Sequence, residues 1–427
     1  MAKKHKRPWG VLLAIFLGVV IGNLLGKEAG IAGVTFYSVF DTLGKIFLNA
    51  LTLVVVPLVS SSIISGIARI GSEGILGRLG LKMFFFYFAT SLLAILIGLF
   101  FVNLINPGTG SIALPEGNDP AHLSRLQDQI ATRNNVTFVN ILISIVPSNI
   151  LKALSHGEML GLIFFSILFG YAISKIDDQP SSILKGFFQG IFQTMIHITH
   201  LIMKLLPYGV FFLVGRVFMV TGIASLQSVA LFALAVLFGL ITFMFIGLPL
   251  LLRVVAKVNP LRHFKAMAPA LVTAFSTSSS SATLPITIDC VEKRAGVSNR
   301  ICSLVVPLGT SINMSGSALY ECVAALFIAQ AYGLELSFAT QFFVVVMSLL
   351  VSFGVAGVPS GSLIAVLIIL KVMGLPEEGL GLIIAVDRLL DMCRTTTNVF
   401  SDSCCAVLVA KTEGEKDILT RDPAEDY

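Results

Sequence analysis

The 427-residue chain is 56% hydrophobic and only 12% charged, with a mean hydropathy of +0.91. Soluble domains carry about 25% charged residues, so most of this surface must face lipid or other helices. The net charge of +5 is scattered over short loops with no single patch, which excludes nucleic-acid binding as its purpose.

At the start, the basic stretch Met1–Arg7 and Pro8 precede an apolar run from Trp9 to about Leu25. The run is longer than a secretory apolar core and lacks a small-residue cleavage site. It therefore reads as a first membrane-spanning helix, with Lys3, Lys4, Lys6 and Arg7 holding its start in the cytoplasm. Further apolar runs follow at Ile46–Ile70, Met83–Ile105, Phe138–Ile176 (with Pro147 and Ser148 as a break), Leu184–Val220 and Val229–Val254. Turn residues separate them at Gly71–Gly74, Asn106–Gly110 and Asp177–Pro180. The polar stretch Ser111–Asn135 reads as a mobile outer loop. Arg69, Arg78 and Lys82, then Arg253, Lys257, Arg262 and Lys265, fall in loops that alternating spans place in the cytoplasm.

After residue 265 the apolar runs shorten and are broken at Ser276–Ser281, Asn313–Ser317 and Gly354–Ser362. Irregular backbone survives at membrane depth only where protein buries it or water reaches it. Three breaks in so short a stretch predict a protein-lined cavity, as interrupted helices build in secondary transporters. Ser276–Ser281, followed by Pro285, reads as the tip of a re-entrant hairpin. Gly354–Ser362 reads as the tip of a second, running from Phe342 to about Val372.

Asp387, Asp391, Arg394, Thr395, Asn398 and Asp402 lie in the otherwise apolar segment Leu380–Ala410. At about 100° per residue, with Asp391 at 0°, the others fall at roughly −40°, −60°, +40°, −20° and +20°, one stripe about 100° wide. A charge at membrane depth costs about 2.5–3.5 kcal/mol, so the stripe must face partners, water or ligand. An Asp391–Arg394 ion pair alone leaves two further carboxylates and the nearby breaks unexplained. Surplus acid suits cations. The arginine suits a carboxylate, held bidentately, and a carboxylate beside it suits an ammonium. Together they describe an amino acid with an extra acidic group.

With these residues the chain resembles the glutamate/aspartate family of secondary transporters, the dicarboxylate/amino acid:cation symporters. The resemblance rests on Ser278–Pro285 (SSSSATLP), Asn313–Ser317 (NMSGS), Gly357–Pro359 (GVP) and Asp391–Asn398 (DMCRTTTN), in the family's order along nearly the whole chain. It implies an all-α integral membrane protein of eight transmembrane helices plus two re-entrant helical hairpins, with helices 7 and 8 broken. It also implies a multi-pass homotrimer of the cell membrane, with both termini cytoplasmic. Residues 1–80 would form scaffold helices 1 and 2, 81–138 helix 3 and an extracellular loop, and 139–227 scaffold helices 4 and 5. Residues 228–412 would form, with helix 3, a transport domain moving as an elevator, and 413–427 a charged, disordered cytoplasmic tail.

By the same resemblance, Arg394 would bind the side-chain carboxylate and Asp391 the amino group. Thr395, Asn398, Ser317, the hairpin-tip residues Ser278, Ser279 and Ser280, and Val358 and Ser362 would assist. One sodium would use Asp402 with Gly309, Asn313 and Asn398, and a second Ser311, Ser352 and Val355. Thr90 and Ser91 match a third site. Many members carry Asp where this chain has Ser315, and a hydroxyl does not replace that charge. Glu321 stands where animal members place a proton-carrying Glu, so protons are expected to replace at least one sodium. No cofactor is implied beyond the coupling Na+ or H+. Accessory arginines found in other members are absent at Ser278 and Met392, and Arg388, one turn before Met392, is the candidate to supply that charge.

Four-carbon dicarboxylate and neutral amino acid carriers of the same family are the rivals. Arg394 argues against the second and Asp391 against the first. An ion channel fits a substrate-type arginine poorly. An intramembrane hydrolase would need His197 or His200 near Ser278–Ser281, far off in sequence, and no nucleophile elbow appears. All six cysteines follow residue 289 without metal-ligand spacing and read as small core residues.

Overall fold

The computed structural model describes residues 9–31, 33–72, 78–109, 146–156, 159–222, 225–334, 337–353 and 361–420. The chain is mostly helical, as hydrocarbon demands of a backbone that must satisfy its own polar groups. In order come α1 (Trp9–Leu25), a two-residue antiparallel ribbon β1 (Gly30–Ile31) and β2 (Val34–Thr35), α2 (Phe36–Ser72) and α3 (Arg78–Ile105). Then follow α4 (Ile150–His156), α5 (Met159–Ile173), α6 (Asp178–Met203), α7 (Leu206–Thr221) and α8 (Ser225–Thr242). The last of these runs on through π turns to Ala256. The final third holds α9 (Pro260–Thr277), α10 (Ser280–Asp289), α11 (Asn299–Ile312), α12 (Ser315–Ala331), α13 (Phe338–Ser352), α14 (Gly361–Met373) and α15 (Leu380–Thr412).

Among the described residues, Phe36–Ala68, Leu79–Ile105, Leu226–Ala256 and Asn299–Ala331 are long and apolar enough to cross a membrane. The apolar run Leu184–Val220 is bent by 57° between α6 and α7, where Pro207 opens the second helix. Shorter apolar helices, α13 and α14 among them, complete a multi-pass membrane protein.

Two packing groups are evident. In one, α1 packs on α7, and α2 on α5, α6 and α7. In the other, α15 is the axle: it touches α3, α7, α8, α9, α10, α11, α12 and α14. Its residues from Thr397 to Ala410 are all buried, and so are all but one of α12.

The fold is all-α as expected, apart from the two-residue ribbon. Three expectations need correction. The expected break in helix 8 is absent: α15 is continuous over 33 residues. It has no proline, and its one glycine, Gly381, sits at its start. Its hydroxyls bond back to their own helix, Thr396 to the Met392 carbonyl at 2.9 Å, Thr397 to Cys393 at 3.0 Å and Ser403 to Phe400 at 2.7 Å. The other two breaks are narrower than read. Only Ser278 and Ser279 separate α9 from α10, and only Asn313 and Met314 separate α11 from α12. Finally, Glu413–Thr420, read as disordered tail, folds back onto the core, burying Ile418 and Leu419.

Ser278 turns the first hairpin with φ +50°, and Ser279 caps α10 by accepting the Ala282 N–H at 3.2 Å. The arms α9 and α10 pack together, as do α13 and α14 of the second hairpin. The expected second tip, 354–360, and the loop 111–135 lie outside the described residues.

Close approach of α1 to α7 depends on missing side chains. A Cβ on Gly22 would lie 2.6 Å from the Gly215 carbonyl oxygen, and one on Gly18 3.0 Å from that of Phe211. Small residues at such crossings let helices dock without a hydrophobic drive. Gly22→Leu should therefore destabilise the chain by about 1–3 kcal/mol, read as a lower thermal midpoint in detergent. Gly10→Leu, where an added Cβ meets nothing within 4 Å, should leave the midpoint unchanged.

Candidate functional site

The polar stripe of α15 closes on a fully buried arginine. Arg394 donates through Nη2 to Asp387 Oδ1 at 2.9 Å and to Asp391 Oδ1 at 3.0 Å. Its guanidinium carbon lies 3.8 Å from the ring centroid of Tyr320, an α12 residue as buried as the arginine itself. Spacing on one helix explains the two acids: Asp387 is seven residues and Asp391 three residues before Arg394, on its own face. Arg388 lies 3.6 Å from the other Asp391 oxygen. Two guanidinium groups and two carboxylates thus sit together. Among the described residues, Arg394 Nε and Nη1 have no hydrogen-bond partner. A buried donor left unmade costs about 1–3 kcal/mol, more when charged. The site therefore has donors in wait for an anionic group.

Around the break between α11 and α12 the polar groups converge differently. Asn398 Oδ1 accepts the Gly316 and Ser317 N–H groups at 2.8 and 3.3 Å, and its Nδ2 donates to Ser317 Oγ at 3.1 Å. The freed N-terminus of α12 is thus capped by a side chain of α15. Gly316 has no room for more, since its Cβ would lie 3.1 Å from the Arg394 carbonyl oxygen.

One turn further along α15, Asp402 Oδ1 accepts from Asn313 Nδ2 at 2.9 Å. A Cβ on Gly309 would stand 2.5 Å from that same oxygen, so the glycine makes the carboxylate's seat. Asp402 is 1% exposed, and its Oδ2 has no partner among the described residues. An ionised carboxylate so placed must be balanced by a cation or a proton.

Next to it lies a cluster of neutral groups. Asn313 Oδ1 accepts from Thr90 Oγ1 and Ser315 Oγ, both at 3.0 Å. Ser315 Oγ lies 3.0 Å from Ser401 Oγ and 3.4 Å from Ser91 Oγ. All five residues are fully buried and satisfy one another, with no carboxylate among them.

The fold thus draws together Arg394, Asp391, Asn398 and Ser317, then Asp402, Gly309 and Asn313, then Thr90 and Ser91. Thr395, Ser278, Ser280 and Ser362 are buried, with the Ser278 Oγ unpartnered among the described residues. Ser279 is committed to its cap. Ser352 donates to the Leu349 carbonyl of its own helix at 2.9 Å. Ser311 lies apart, lining with Phe353, Ser62 and Gln189 a cavity of about 160 Å³ between the two packing groups. Val355 and Val358 lie outside the described residues. Glu321, 1% exposed on α12, keeps Oε2 without a partner among them.

Sequence reasoning left out Ser401 and Tyr320. Ser401 sits roughly 80° off the Asp391 direction, outside the polar stripe, and reaches the cluster only because α11 ends beside it. Tyr320 is one aromatic in an apolar helix and carries no periodic signal.

A membrane carrier is the class that this architecture defines: broken spans and hairpins around buried, oppositely charged groups with unfilled bonding capacity. The chain belongs to the Sodium:dicarboxylate symporter family, whose profile it matches over residues 8–412. It is accordingly a symporter and not an enzyme. It is 34% identical over 420 residues to the "Proton/sodium-glutamate symport protein" of Bacillus caldotenax, covering 97% of this chain and 96% of the relative. It is 33% identical over 414 residues to the "Proton/glutamate-aspartate symporter" of Escherichia coli (strain K12), covering 97% and 94%. It is 34% identical over 453 aligned positions to "Excitatory amino acid transporter 3" of Homo sapiens, covering 95% and 86%.

The charge cluster makes a stability prediction. Removing one partner of a buried ion pair costs about 3–5 kcal/mol. Arg394→Gln should lower the thermal midpoint in detergent, and adding Asp387→Asn should recover much of the loss. A double variant no better than the single one would mean the two charges do not balance each other.

Proposed function

We propose that this chain is a secondary active symporter that brings glutamate or aspartate into the cell, coupled to Na+ and H+. The observation that carries this reading is Arg394, wholly buried, held by two aspartates through one nitrogen and leaving Nε and Nη1 unpartnered among the described residues. The substrate's side-chain carboxylate bonds there. Its ammonium goes to Asp391, where it competes with Arg388 for the second oxygen. Asn398, Thr395 and Ser317 line the pocket, and Ser278, Ser279, Ser280, Val358 and Ser362 close it from the hairpin tips. The names of the relatives, which include glutamate and aspartate carriers, support the substrate class.

One sodium sits at Asp402 with Gly309, Asn313 and Asn398, and the unpartnered Oδ2 supports it. A second lies under the second hairpin, at Ser311, Ser352 and Val355. The Thr90 and Ser91 region holds none. Its hydroxyls already satisfy one another, and Ser315 brings no charge to offset a cation's desolvation. A proton on buried Glu321 takes that sodium's place. The carrier works as a homotrimer in the cell membrane, with both termini cytoplasmic. The α15-centred group, with α3, moves as an elevator against a scaffold that includes α1, α2, α5, α6 and α7.

Uptake of labelled glutamate and aspartate into liposomes, under a sodium gradient or a proton gradient imposed separately, tests the reading. Each gradient alone should drive uptake. Strictly sodium-driven uptake with no proton flux would remove Glu321 from the coupling, and transport of succinate without glutamate would overturn the substrate. Gly309→Ala, by crowding Asp402, should raise the sodium concentration for half-maximal uptake at least tenfold, about 1.4 kcal/mol.

A further inference from the structure

The segment that follows α15, Glu413–Thr420, is built into the molecule at a place that no substrate argument requires. Past α15 the backbone turns at Gly414, φ +94°, and runs back as a strap that turns again at Leu419, φ +55°, before Thr420. Each step of the strap is fastened. Lys82, at the foot of α3, donates to the Thr412 carbonyl at 2.6 Å and pairs with Glu413. Glu415 accepts from the backbone N–H of Ser298, the N-cap residue of α11, at 3.1 Å and from its hydroxyl. The Asp417 carbonyl lies 3.1 Å from where a Cβ on Gly296 would stand, and the Leu419 N–H donates to the Ala295 carbonyl at 2.9 Å. Arg262, in the first turn of α9, donates through Nη1 to the Leu419 and Thr420 carbonyls, both at 3.1 Å. Ile418 and Leu419 are 2% and 5% exposed and join the main apolar core.

Those contacts have one thing in common. Arg262 is the foot of the first arm of the first hairpin. Ala295, Gly296 and Ser298 form the turn where the second arm, α10 with its π turn, passes into α11. Lys82 and Thr412 are the same-side ends of α3 and α15. We propose that Glu413–Thr420 is a clasp that ties both feet of the first hairpin to α3 and α15. The hairpin that carries Ser278–Ser280 is thereby held as one body with the helix that carries Arg394 and Asp402. On this side of the molecule the first hairpin cannot swing open as a gate unless the clasp is undone.

The native thiols allow a test that needs no substrate, so its failure is distinct from a failure of the transport reading. Cys302, fully buried one turn into α11, donates its thiol to the Val297 carbonyl at 3.4 Å and its N–H at 3.0 Å to the carbonyl of Ser298, the residue that Glu415 holds. Cys404 and Cys405 are buried in α15, away from the clasp. Purified full-length protein in detergent would be exposed to a charged maleimide, and the labelling rate of each cysteine read by mass spectrometry. In Ile418→Asp, and in Glu415→Ala combined with Arg262→Ala, Cys302 should label at least tenfold faster than in the unaltered protein, with Cys404 and Cys405 still protected. An unchanged Cys302 rate would overturn the clasp. So would equal acceleration at Cys404 and Cys405, which would make the strap merely one part of general stability. Hydrogen exchange on the unaltered protein needs no variant: the amides of Leu419 and Cys302 should be protected to the same degree, and exchange of Leu419 at the rate of an open chain would also overturn the proposal.

Discussion

A guanidinium at membrane depth cannot stand alone, and the architecture of the last third of this chain follows from that constraint. Arg394 is balanced from its own helix, by Asp387 and Asp391, so the charge and its partners arrive together when α15 forms. Tyr320 supplies a face across the helix interface, and the rest of α12 wraps the pair in apolar side chains. This leaves a helix that must be enclosed on nearly all sides. The first hairpin and the broken span contribute to that enclosure without sealing it: at the hairpin tip the Ser278 Oγ has no partner among the described residues.

The break between α11 and α12 is the second requirement, and its stabilisation is local. Two residues out of helical geometry free carbonyl and N–H groups that hydrocarbon would not tolerate. Asn398 of α15 meets the N–H groups, and Asn313 turns its own side chain to Asp402, Thr90 and Ser315. The same groups that repair the break build the oxygen-rich site beside it. A glycine at position 309 is the small but necessary allowance, since any side chain would occupy the space of the Asp402 carboxylate. Arg394 and Asp402 stand eight residues, about two turns, apart on a single helix, so under the proposed assignment substrate and ion would have a direct physical route to feel each other.

Much of this was legible beforehand. The six polar residues of α15 were placed on one stripe by counting alone, and all six are buried in the fold. The first two interruptions were located within a few residues, because serine clusters and glycines in apolar surroundings have few other meanings. Continuity of α15 was not anticipated. The expected break came with the resemblance alone, while the segment itself carries no proline and no interior glycine to interrupt it. Ser401 escaped notice because it joins the neutral cluster from off the stripe. Residues 413–420 of the tail were misread because charge content speaks of solvation, while their fastening depends on two apolar residues, Ile418 and Leu419, and on donors 330 and 157 positions earlier, at Lys82 and Arg262.

The central claim is that the unfilled donors of Arg394 are the seat of a side-chain carboxylate, and glutamine offers the cleanest comparison because it differs from glutamate by one charge at nearly constant shape. Calorimetric titration of the purified protein in saturating sodium, with glutamate and then glutamine, should give a dissociation constant for glutamine at least a hundredfold weaker, about 2.7 kcal/mol. In Arg394→Gln the two should converge. Equal affinity of the unaltered protein for glutamate and glutamine would contradict the account at its root.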